Sequence, residues 1–219
     1  MRDWIRPDWP APTNIIAGTT LRIAAANALP VKGKPCWLSQ VHGSDVVQAA
    51  HYETPPAADA SVSGATGYLS VVRTADCLPL LMCSRDGRVF GAAHAGWRGL
   101  AAGVIENTIA NMDVAAKDLL VWLGPAISQP SFEVGGEVRN AFIASDPNAS
   151  TCFLANERGR WQADLYGLAR QRLRSSGVKD VYGGGMCTFL DRERFYSYRR
   201  NPNCGRMLSF IGHITPITP

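Results

Sequence analysis

Cysteine pairs at the spacing of metal-binding or redox motifs are missing from this sequence. Six cysteines are present, but no two of them are separated by two residues. This excludes a zinc ribbon and a thioredoxin-type motif. In a reducing compartment, which the next observation favours, unpaired thiols are the ordinary state and disulfides are not expected.

Long apolar runs are also missing. The opening residues, MRDWIRPDWPAPTN, are interrupted by two aspartates and three prolines, so they do not resemble a signal peptide. No stretch approaches the roughly 18–20 uninterrupted apolar residues that a membrane-spanning helix needs. We therefore expect a cytoplasmic protein without a membrane partner.

Charge of one sign is not concentrated anywhere in the chain. The 22 basic and 18 acidic residues give a net charge of +4, and only short arginine groups such as Arg170, Arg172 and Arg174 occur. So weak a positive field does not argue for a nucleic acid partner. It suits a small anionic substrate such as phosphate, although a slight excess of surface arginine explains it equally well.

The length and composition are those of a globular domain. The 219 residues are 46% hydrophobic and 18% charged. A chain of this kind buries a sizeable core without disulfides or a structural metal, so that a metal site would be free to serve chemistry. We predict one α/β domain over residues 1–219, with a mixed β-sheet at its core.

Hydrophobic periodicity assigns the elements of this domain. Apolar residues at helical spacing predict helices over Leu100–Met112, Val134–Ala144 and Leu165–Ser175, the last one ended by Gly177. Short runs rich in β-branched and aromatic residues predict strands. These strands are Ile15–Ala25, Pro35–Leu38, Gly67–Thr74, Leu78–Cys83, Val89–His94, Leu119–Leu123, Trp161–Asp164, Phe195–Tyr198 and Met207–Ile211.

Histidine is scarce, so the context of each of the four histidines is informative. His42 stands at a junction between a strand and a turn, Cys77 follows a predicted strand, and His94 ends one, so that the three side chains can meet at one rim of a sheet. Imidazole and thiolate are preferred zinc ligands, and catalytic zinc keeps three protein ligands and an open fourth position. From these residues alone, a zinc site and ordinary packed core residues both stay open. His51 and His213 have no supporting context.

Two glycine-containing segments permit either ligand binding or simple packing. Arg98, in the sequence GWRG, precedes a predicted helix and can offer two hydrogen bonds to a phosphate or carboxylate, while a solvated side chain is equally compatible. Gly183–Gly185 permits a close backbone approach, for which a bulge or a tight strand crossing is the favoured explanation.

A group of aromatic and basic residues near the C-terminus also has two explanations. Its members either line a pocket that stacks a base or form an interfacial strand, and the strand is favoured. The group consists of Tyr196, Tyr198, Arg199 and Arg200.

Several longer motifs, taken in order, resemble one family. They are QVHGSDVV, TADCLPLLM, AAHAGWRGLAAGVIENTI, LGPAISQPSFEVG and CTF…DRERFYSYRRN…GRMLSFI, and they run from about Trp37 to Ile211. The chain is similar to the laccase-domain or polyphenol-oxidase-like family, also called peptidoglycan editing factor. Because the motifs are long and keep their order, the resemblance is specific and covers most of the chain.

This resemblance implies a metal site. The histidine of the family's QVHG motif falls on His42, the cysteine of its ADC motif on Cys77 and the histidine of its HAGWRG motif on His94. The family's zinc ligands and catalytic residues are these three, and Cu²⁺ can replace Zn²⁺ at such a site. Arg98 then becomes the expected substrate-binding residue.

The resemblance also implies an activity and a fold. Better-characterised members look like zinc-dependent purine nucleoside phosphorylases that act on adenosine, inosine, guanosine and methylthioadenosine, with adenosine deaminase activity. The implied partners are therefore a purine nucleoside and phosphate. The implied fold consists of α/β layers around a mixed β-sandwich, flanked by helices.

One stretch departs from the family's pattern. Members usually carry a longer N-terminal region with a TTRxGG stretch and an NLxxxVGDD segment. Here Thr19–Arg22 passes almost directly into Ile23–Leu29. Because the missing stretch contributes to the pocket wall in relatives, substrate affinity is the property that its absence affects.

The family's names leave other activities open. A multicopper laccase needs many histidines, commonly in HxH pairs, and four isolated histidines do not supply them. A cell-wall amidase that removes a misincorporated amino acid is as compatible with a three-ligand zinc site as nucleoside chemistry is. Asp59 and Asp76 are the nearest acid–base candidates in the sequence. The oligomeric state is not determined by the sequence.

Overall fold

The computed structural model describes residues 3–24 and 28–214. Helices in this part of the chain are short, and none is long and apolar enough to cross a membrane. They are α1 (Trp97–Ala102), α2 (Val104–Asn111), α3 (Gly136–Ile143) and α4 (Leu165–Ser175). The strands are β1 (Trp4–Ile5), β2 (Ile15–Thr20), β3 (Lys34–Cys36), β4 (Val46–Gln48), β5 (Ala60–Ser63), β6 (Tyr68–Thr74), β7 (Leu78–Ser84), β8 (Phe90–Ala95), β9 (Leu119–Leu123), β10 (Glu133–Val134), β11 (Phe153–Ala155), β12 (Trp161–Ala163), β13 (Asp180–Gly183) and β14 (Met207–His213).

Two mixed sheets contain most of these strands. A five-stranded sheet has the order β1-β2-β14-β6-β3, and a six-stranded sheet has the order β13-β9-β7-β8-β5-β4. The pairs β3–β6, β4–β5 and β13–β9 are parallel, and the other neighbours in these sheets are antiparallel. A small antiparallel sheet, β10-β12-β11, lies apart from them.

Apolar side chains fill a layer on each face of the six-stranded sheet. Between the two large sheets, Val72 and Ile211 pack with Leu81 and Phe90. On the opposite face, Leu80 and its neighbours pack against α1, α2 and α4. Because both faces are buried, β7 and β8 read as continuous apolar runs rather than alternating ones. This arrangement confirms the expected α/β fold with a mixed β-sandwich core flanked by helices.

Element boundaries follow the sequence pattern except where a glycine or a loop interaction intervenes. Leu119–Leu123 and Leu165–Ser175 match the prediction residue for residue. The helix predicted over Leu100–Met112 is two helices, because Gly103 adopts a φ of 95° and ends α1 before α2 begins. The strand predicted over Phe195–Tyr198 is wrong, since Phe195, Tyr196 and Ser197 have no regular secondary structure and a turn begins at Tyr198.

The strand predicted to run from Ile15 to Ala25 ends earlier, at Thr20. After it, the N–H of Leu21 donates to the carbonyl oxygen of Asp3 and the chain turns, with Ala24 N–H donating back to Leu21. Residue 25, the last of the predicted strand, lies outside the described residues, as do 26 and 27 of the segment that departs from the family's pattern.

Candidate metal centre

The pairing of three adjacent strands brings Asp59, Cys77 and His94 to one edge of the six-stranded sheet. β7 and β8 are antiparallel with the first residue of β7 opposite the last residue of β8, so Cys77 lies beside the end of β8. β5 and β8 are antiparallel as well, and the first residue of β5 faces Ala93, so Asp59 lies beside His94. The meeting of strand ends that the sequence predicted follows from these two registers.

His42 reaches the same edge in a turn that Asp59 holds. The Asp59 carboxylate accepts hydrogen bonds from the backbone N–H groups of Val41, His42 and Gly43, at 3.1, 3.0 and 2.7 Å. His42 has a φ of 60°, a left-handed conformation that non-glycine residues adopt at a cost of about 1 kcal/mol or more. Three bonds to one buried carboxylate stabilise that conformation.

The same carboxylate orients His94. The Nδ1–H of His94 donates to Asp59 Oδ1 at 2.7 Å, and both side chains are buried. With Nδ1 occupied in this way, Nε2 is the nitrogen that is left for a metal ion. The Sγ atom of Cys77 lies 4.0 Å from Nε2 of His42, and one ligand atom from each of the three residues lies within 4.8 Å of the others.

This group of ligands suits a zinc ion. Tetrahedral zinc, with Zn–S and Zn–N bonds of about 2.3 and 2.0 Å, places sulfur and nitrogen roughly 3.5 Å apart, so a small inward movement would close the site. Copper accepts the same donors. Within residues 3–24 and 28–214, His42, Cys77 and His94 form the one group of three or more potential ligands that could hold an ion.

Burial and mutual contacts shift the pKa values of these groups. Burial alone would raise the pKa of the Cys77 thiol, but hydrogen bonds and charge from His42 and His94 lower it to about 6. Burial works to lower the pKa of His94, and its contacts with Asp59 and Cys77 raise it to about 9. Burial would raise the pKa of Asp59, but its hydrogen bonds with His94 and with the turn around His42 hold that pKa below its ordinary value. Cys77 is therefore a thiolate at neutral pH, which is the form that binds metals.

Two glycines allow α1 to pack directly against the ligands. A Cβ atom at Gly96 would lie 2.9 Å from Cδ2 of His42 and 3.1 Å from Sγ of Cys77. A Cβ atom at Gly99 would lie 2.5 Å from the carbonyl oxygen of Gly43. At each glycine the shortest of these distances is too short for a Cβ atom, so the glycines of the GWRG segment allow close packing around the three potential ligands.

Asp76 holds the loop that carries Cys77. Its backbone is left-handed, with a φ of 93°, and its side chain is buried. The carboxylate accepts hydrogen bonds from Thr188 Oγ1 at 2.6 Å, from Ser197 Oγ at 3.0 Å and from the backbone N–H of Arg199 at 2.7 Å. The carboxylate oxygens of Asp76, like those of Asp59, are thus occupied by donors, which favours a supporting role over acid–base catalysis for both.

The three ligands line a cavity of about 860 Å³. This volume is typical of a small-molecule site. Its aromatic and apolar surface includes Trp97, Ile127, Phe132, Leu165 and Tyr198. Its cationic surface comes from four arginines, none of which forms an ion pair with a carboxylate of the described residues, and these are Arg73, Arg98, Arg199 and Arg206.

Arg98, the substrate-binding residue predicted from the sequence, lines this cavity but is exposed. Its guanidinium stacks over the Trp97 ring, 4.4 Å from the centroid. The helix α1 has only six residues, and the N–H of Leu100 already donates to the carbonyl oxygen of Gly96. The Arg98 side chain, rather than the start of the helix, is therefore what this segment offers an anion.

The favoured explanation of the aromatic and basic group near the C-terminus was wrong. Tyr198 and Arg199 line the cavity. Tyr196 donates its hydroxyl to the carbonyl oxygen of Arg22, and Arg200 donates to backbone carbonyl groups of nearby turns. The segment is not a strand because its backbone N–H groups do not pair with the backbone of a neighbouring strand. The N–H of Phe195 donates to the carbonyl oxygen of Asp191, that of Tyr196 to Sδ of Met207, and that of Arg199 to the Asp76 carboxylate.

The remaining candidates from the sequence have structural roles. Gly183–Gly185 has positive φ throughout, and a Cβ atom at Gly183 would lie 2.6 Å from Trp122 Nε1, so the close approach is to strand β9. His51 is exposed. His213 is buried in β14, where its Nε2 lies 2.7 Å from the carbonyl oxygen of Gly87.

Sequence patterns did not identify Arg73, Arg206 and Phe132 as cavity residues. Arg73 is the penultimate residue of β6, and Arg206 immediately precedes β14. Because Met207 of β14 pairs with Thr74 of β6, both arginines lie next to the Cys77 loop. Proximity to the ADC motif could have suggested Arg73, whereas the other two depend on strand pairing and loop packing.

Comparison with known proteins supports the resemblance seen in the motifs. A family described as "Multi-copper polyphenol oxidoreductase laccase" matches residues 15–214. The chain belongs to this family. Its relatives include a purine nucleoside phosphorylase of Pseudomonas aeruginosa, 44% identical over 96% of this chain and 98% of the relative. They also include the purine nucleoside phosphorylase YfiH of Escherichia coli, 50% identical over 87% of this chain and 77% of the relative.

A crystal structure of a Neisseria meningitidis protein has the same fold. It is 40% identical, with a TM-score of 0.92 over 98% of this chain and 100% of that chain. The alignment with the Pseudomonas relative extends over 239 residues, more than the 219 of this chain. The relative therefore contains residues without a counterpart here.

Proposed function

We propose that this protein is a zinc-dependent purine nucleoside phosphorylase of the cytoplasm, acting on adenosine, inosine, guanosine and methylthioadenosine. The observation that carries the proposal is a three-ligand group, His42, Cys77 and His94, in a cavity that combines arginines with aromatic surface. The relatives at 44% and 50% identity bear the name purine nucleoside phosphorylase.

The cavity contains a group for each part of this reaction. Phosphorolysis joins a phosphate oxygen to C1′ of the ribose and breaks the bond between C1′ and the purine nitrogen. A zinc ion held by His42, Cys77 and His94 would supply a Lewis acid to polarise a bound group. The cavity arginines, which form no ion pair within residues 3–24 and 28–214, attract and orient the phosphate. Phe132 and Tyr198 offer rings against which a purine can stack.

The supporting residues prepare the ligands for this role. Asp59 keeps the Nδ1 atom of His94 in its hydrogen bond, so that Nε2 is directed toward the metal site. Cys77 is already a thiolate near neutral pH, because His42 and His94 lower its pKa to about 6 against the effect of burial. Little reorganisation is then needed to bind the ion.

Adenosine deamination is the second candidate activity, since three protein ligands leave a coordination position open. In that reaction, an oxygen from water replaces the amino group at C6 of the adenine and ammonia leaves. No phosphate is consumed, so the two activities are separable by the co-substrate that they require.

The family's description points instead to copper and polyphenol oxidation. Of the four histidines, two are in the ligand group, while His51 is exposed and His213 is bonded to the Gly87 carbonyl group. A cluster of several copper ions needs more imidazoles than these. We therefore attribute any copper in the protein to substitution at the three-ligand site.

Product analysis tests the proposal. Zinc-loaded protein is incubated with adenosine, inosine or guanosine, with and without phosphate, and the products are separated by chromatography. We expect free base only when phosphate is present. Inosine formed from adenosine without phosphate would identify deamination, and release of an amino acid from a cell-wall precursor, with no reaction on nucleosides, would identify the editing amidase instead.

A matched pair of cysteine variants tests the role of the metal site. Cys77→Ala should lose both bound zinc and turnover. Cys187→Ala removes a half-buried thiol that does not line the cavity, and it should retain both. Full zinc content and full turnover in Cys77→Ala would contradict the assignment.

A further inference from the structure

The arginines that line the cavity differ in how firmly their guanidinium groups are held. Arg199 donates from both Nη1 and Nη2 to the carbonyl oxygen of Glu133, each at 3.1 Å, and its guanidinium lies 5.6 Å from the centroid of the Phe132 ring. The Arg98 side chain stacks on Trp97 but makes no hydrogen bond to any residue in 3–24 or 28–214. Arg199 is therefore pre-oriented, and Arg98 is not.

The two other cavity arginines are held less completely than Arg199. Arg73 donates one side-chain bond, to the carbonyl oxygen of Leu38 at 3.0 Å. Arg206 donates only to Cys204 and Gly205, its near neighbours in the chain, and its guanidinium lies 5.8 Å from the Tyr198 ring centroid. Neither has both a distant hydrogen-bond anchor and an aromatic ring.

The hydrogen bonds of Arg199 leave its best anion-binding edge free. A guanidinium has five N–H donors, and two of them are directed at the Glu133 carbonyl oxygen. Of the three N–H groups that remain, the one on Nε and the adjacent outer one on Nη point the same way, and their geometry matches two oxygens of a phosphate. In the described part of the chain no carboxylate forms an ion pair with Arg199, so its charge is available.

A single residue relates Arg199 to the metal ligand Cys77. The backbone N–H of Arg199 donates to Oδ2 of Asp76, which immediately precedes Cys77 in the chain. The backbone carbonyl of Asp76 in turn accepts from the N–H of Ile127 at 2.9 Å, and Ile127 also lines the cavity. The position of the Arg199 segment relative to Cys77 thus depends on the Asp76 side chain.

We propose that Arg199 binds the phosphate co-substrate and that Asp76 is a positioning residue that holds Arg199 beside the metal site, with Arg98 contributing less. The inference rests on the proposed function, since phosphate is the co-substrate of that reaction. A guanidinium that is fixed before the anion arrives loses less conformational freedom on binding, which favours Arg199 over Arg98.

Matched arginine variants test the first part. Steady-state kinetics is measured for the wild type, Arg199→Met and Arg98→Met, with phosphate and nucleoside varied separately. Arg199→Met should raise the KM for phosphate at least about tenfold, while zinc content and the KM for nucleoside change less than about twofold. A larger increase in Arg98→Met than in Arg199→Met, or an unchanged phosphate KM in Arg199→Met, would overturn the assignment.

Two variants of Asp76 test the positioning role without straining the backbone. Glycine and asparagine both tolerate the left-handed conformation at this position. Asp76→Gly removes the carboxylate and should raise the phosphate KM about as much as Arg199→Met does. Asp76→Asn keeps an acceptor for the Arg199 N–H and should recover most of the phosphate affinity. If Asp76→Gly lowers only folding yield or zinc content and leaves the phosphate KM unchanged, Asp76 has no positioning role.

Calorimetric titration with inorganic phosphate separates this inference from the proposed function. The titration uses zinc-loaded wild type, Arg199→Met and Arg98→Met, and it needs no turnover. If the wild type releases no base yet binds phosphate, and Arg199→Met weakens that binding most, the proposed function fails and the phosphate site stands. If the wild type neither turns over nor binds phosphate, the phosphate site is overturned as well.

Discussion

Asp59 and Asp76 are buried aspartates in two walls of the same site, and each holds a loop that contains a left-handed residue. All the partners of Asp59 belong to the metal ligands or to their turn, since it accepts from three backbone N–H groups around His42 and from the imidazole of His94. The partners of Asp76 are two hydroxyl groups and one backbone N–H, all from the C-terminal part of the chain. Asp59 thus joins ligand to ligand, whereas Asp76 joins a ligand to the arginine-bearing wall of the cavity.

The two sets of donors also differ in what they tolerate. A backbone N–H can only donate, so an asparagine amide in place of the Asp59 carboxylate would place N–H groups against N–H groups. A hydroxyl group can rotate and accept a hydrogen bond. If asparagine replaced Asp76, its amide nitrogen would take the place of Oδ1 and could donate to the Thr188 hydroxyl. The metal side of the site is therefore less tolerant of substitution than the substrate side.

The largest effect is expected from Asp59→Ala. This change leaves three backbone N–H groups and the Nδ1–H of His94 without their acceptor, and it should lower the free energy of unfolding by about 3–5 kcal/mol. Urea denaturation of the metal-free protein measures it. Asp76→Asn is the control and should lose less than about 1 kcal/mol. Equal losses in the two variants would remove the distinction between the two aspartates.

Gly96→Ala tests whether zinc binding requires the close packing of Gly96 against His42 and Cys77. The new methyl group would press on Cδ2 of His42 and on Sγ of Cys77, so zinc affinity should fall by about 10-fold to 100-fold. Competition with a chromophoric chelator measures the affinity. Gly136→Ala, where a Cβ atom meets nothing within 4 Å, should leave zinc affinity unchanged. Undiminished zinc binding in Gly96→Ala would show that the site is looser than its packing indicates.

The pH dependence of Cys77 reactivity in metal-free protein distinguishes the role of Asp59 from that of Asp76. Its thiolate fraction should fall only as the pH drops through about 6, because the lowered pKa keeps it ionised above that value. Asp59→Asn should move this midpoint upward, since the charged form of His94 loses a partner, while Asp76→Asn should leave it in place. Alkylation rates at Cys77, resolved by mass spectrometry, give the profile, and Cys83, whose pKa burial raises to about 12, serves as the unreactive reference. A midpoint that moves in Asp76→Asn and not in Asp59→Asn would show that Asp76, rather than Asp59, supports the Cys77 thiolate.

The smallest effect is expected from Thr188→Val. The substitution keeps the shape of the side chain and removes one of three donors to Asp76, so the unfolding free energy should fall by about 1 kcal/mol and zinc affinity should not change. Thermal denaturation and the chelator competition measure the two quantities. A loss of zinc comparable to that in Gly96→Ala would mean that the Asp76 wall also serves the metal.

Local patterns predicted the main elements, and the family motifs predicted the group of potential metal ligands. The periodicity of β9 and α4 is a local property, so their bounds could be predicted residue for residue. His42, Cys77 and His94 stayed open from their positions alone, and their place in the family's QVHG, ADC and HAGWRG motifs is what predicted them as a group. The same local patterns predicted one helix over Leu100–Met112, whereas the positive φ of Gly103 divides this segment into α1 and α2. Hydrophobic periodicity does not indicate the φ angle of a single residue.

The other residues of the site are brought together by contacts between distant parts of the chain. Asp76 lies 123 positions before Arg199 and 112 before Thr188, so no spacing in the sequence indicates their contacts. Arg98, which lies close to a ligand motif, was predicted to bind the substrate, whereas Arg199 was assigned to an interfacial strand. Arg199 donates its hydrogen bonds to the Asp76 carboxylate and to the Glu133 carbonyl oxygen, which strand pairing and loop packing bring beside it. An arginine becomes an oriented anion-binding group only when distant parts of the chain hold its guanidinium, and that is a property of the fold rather than of the local sequence.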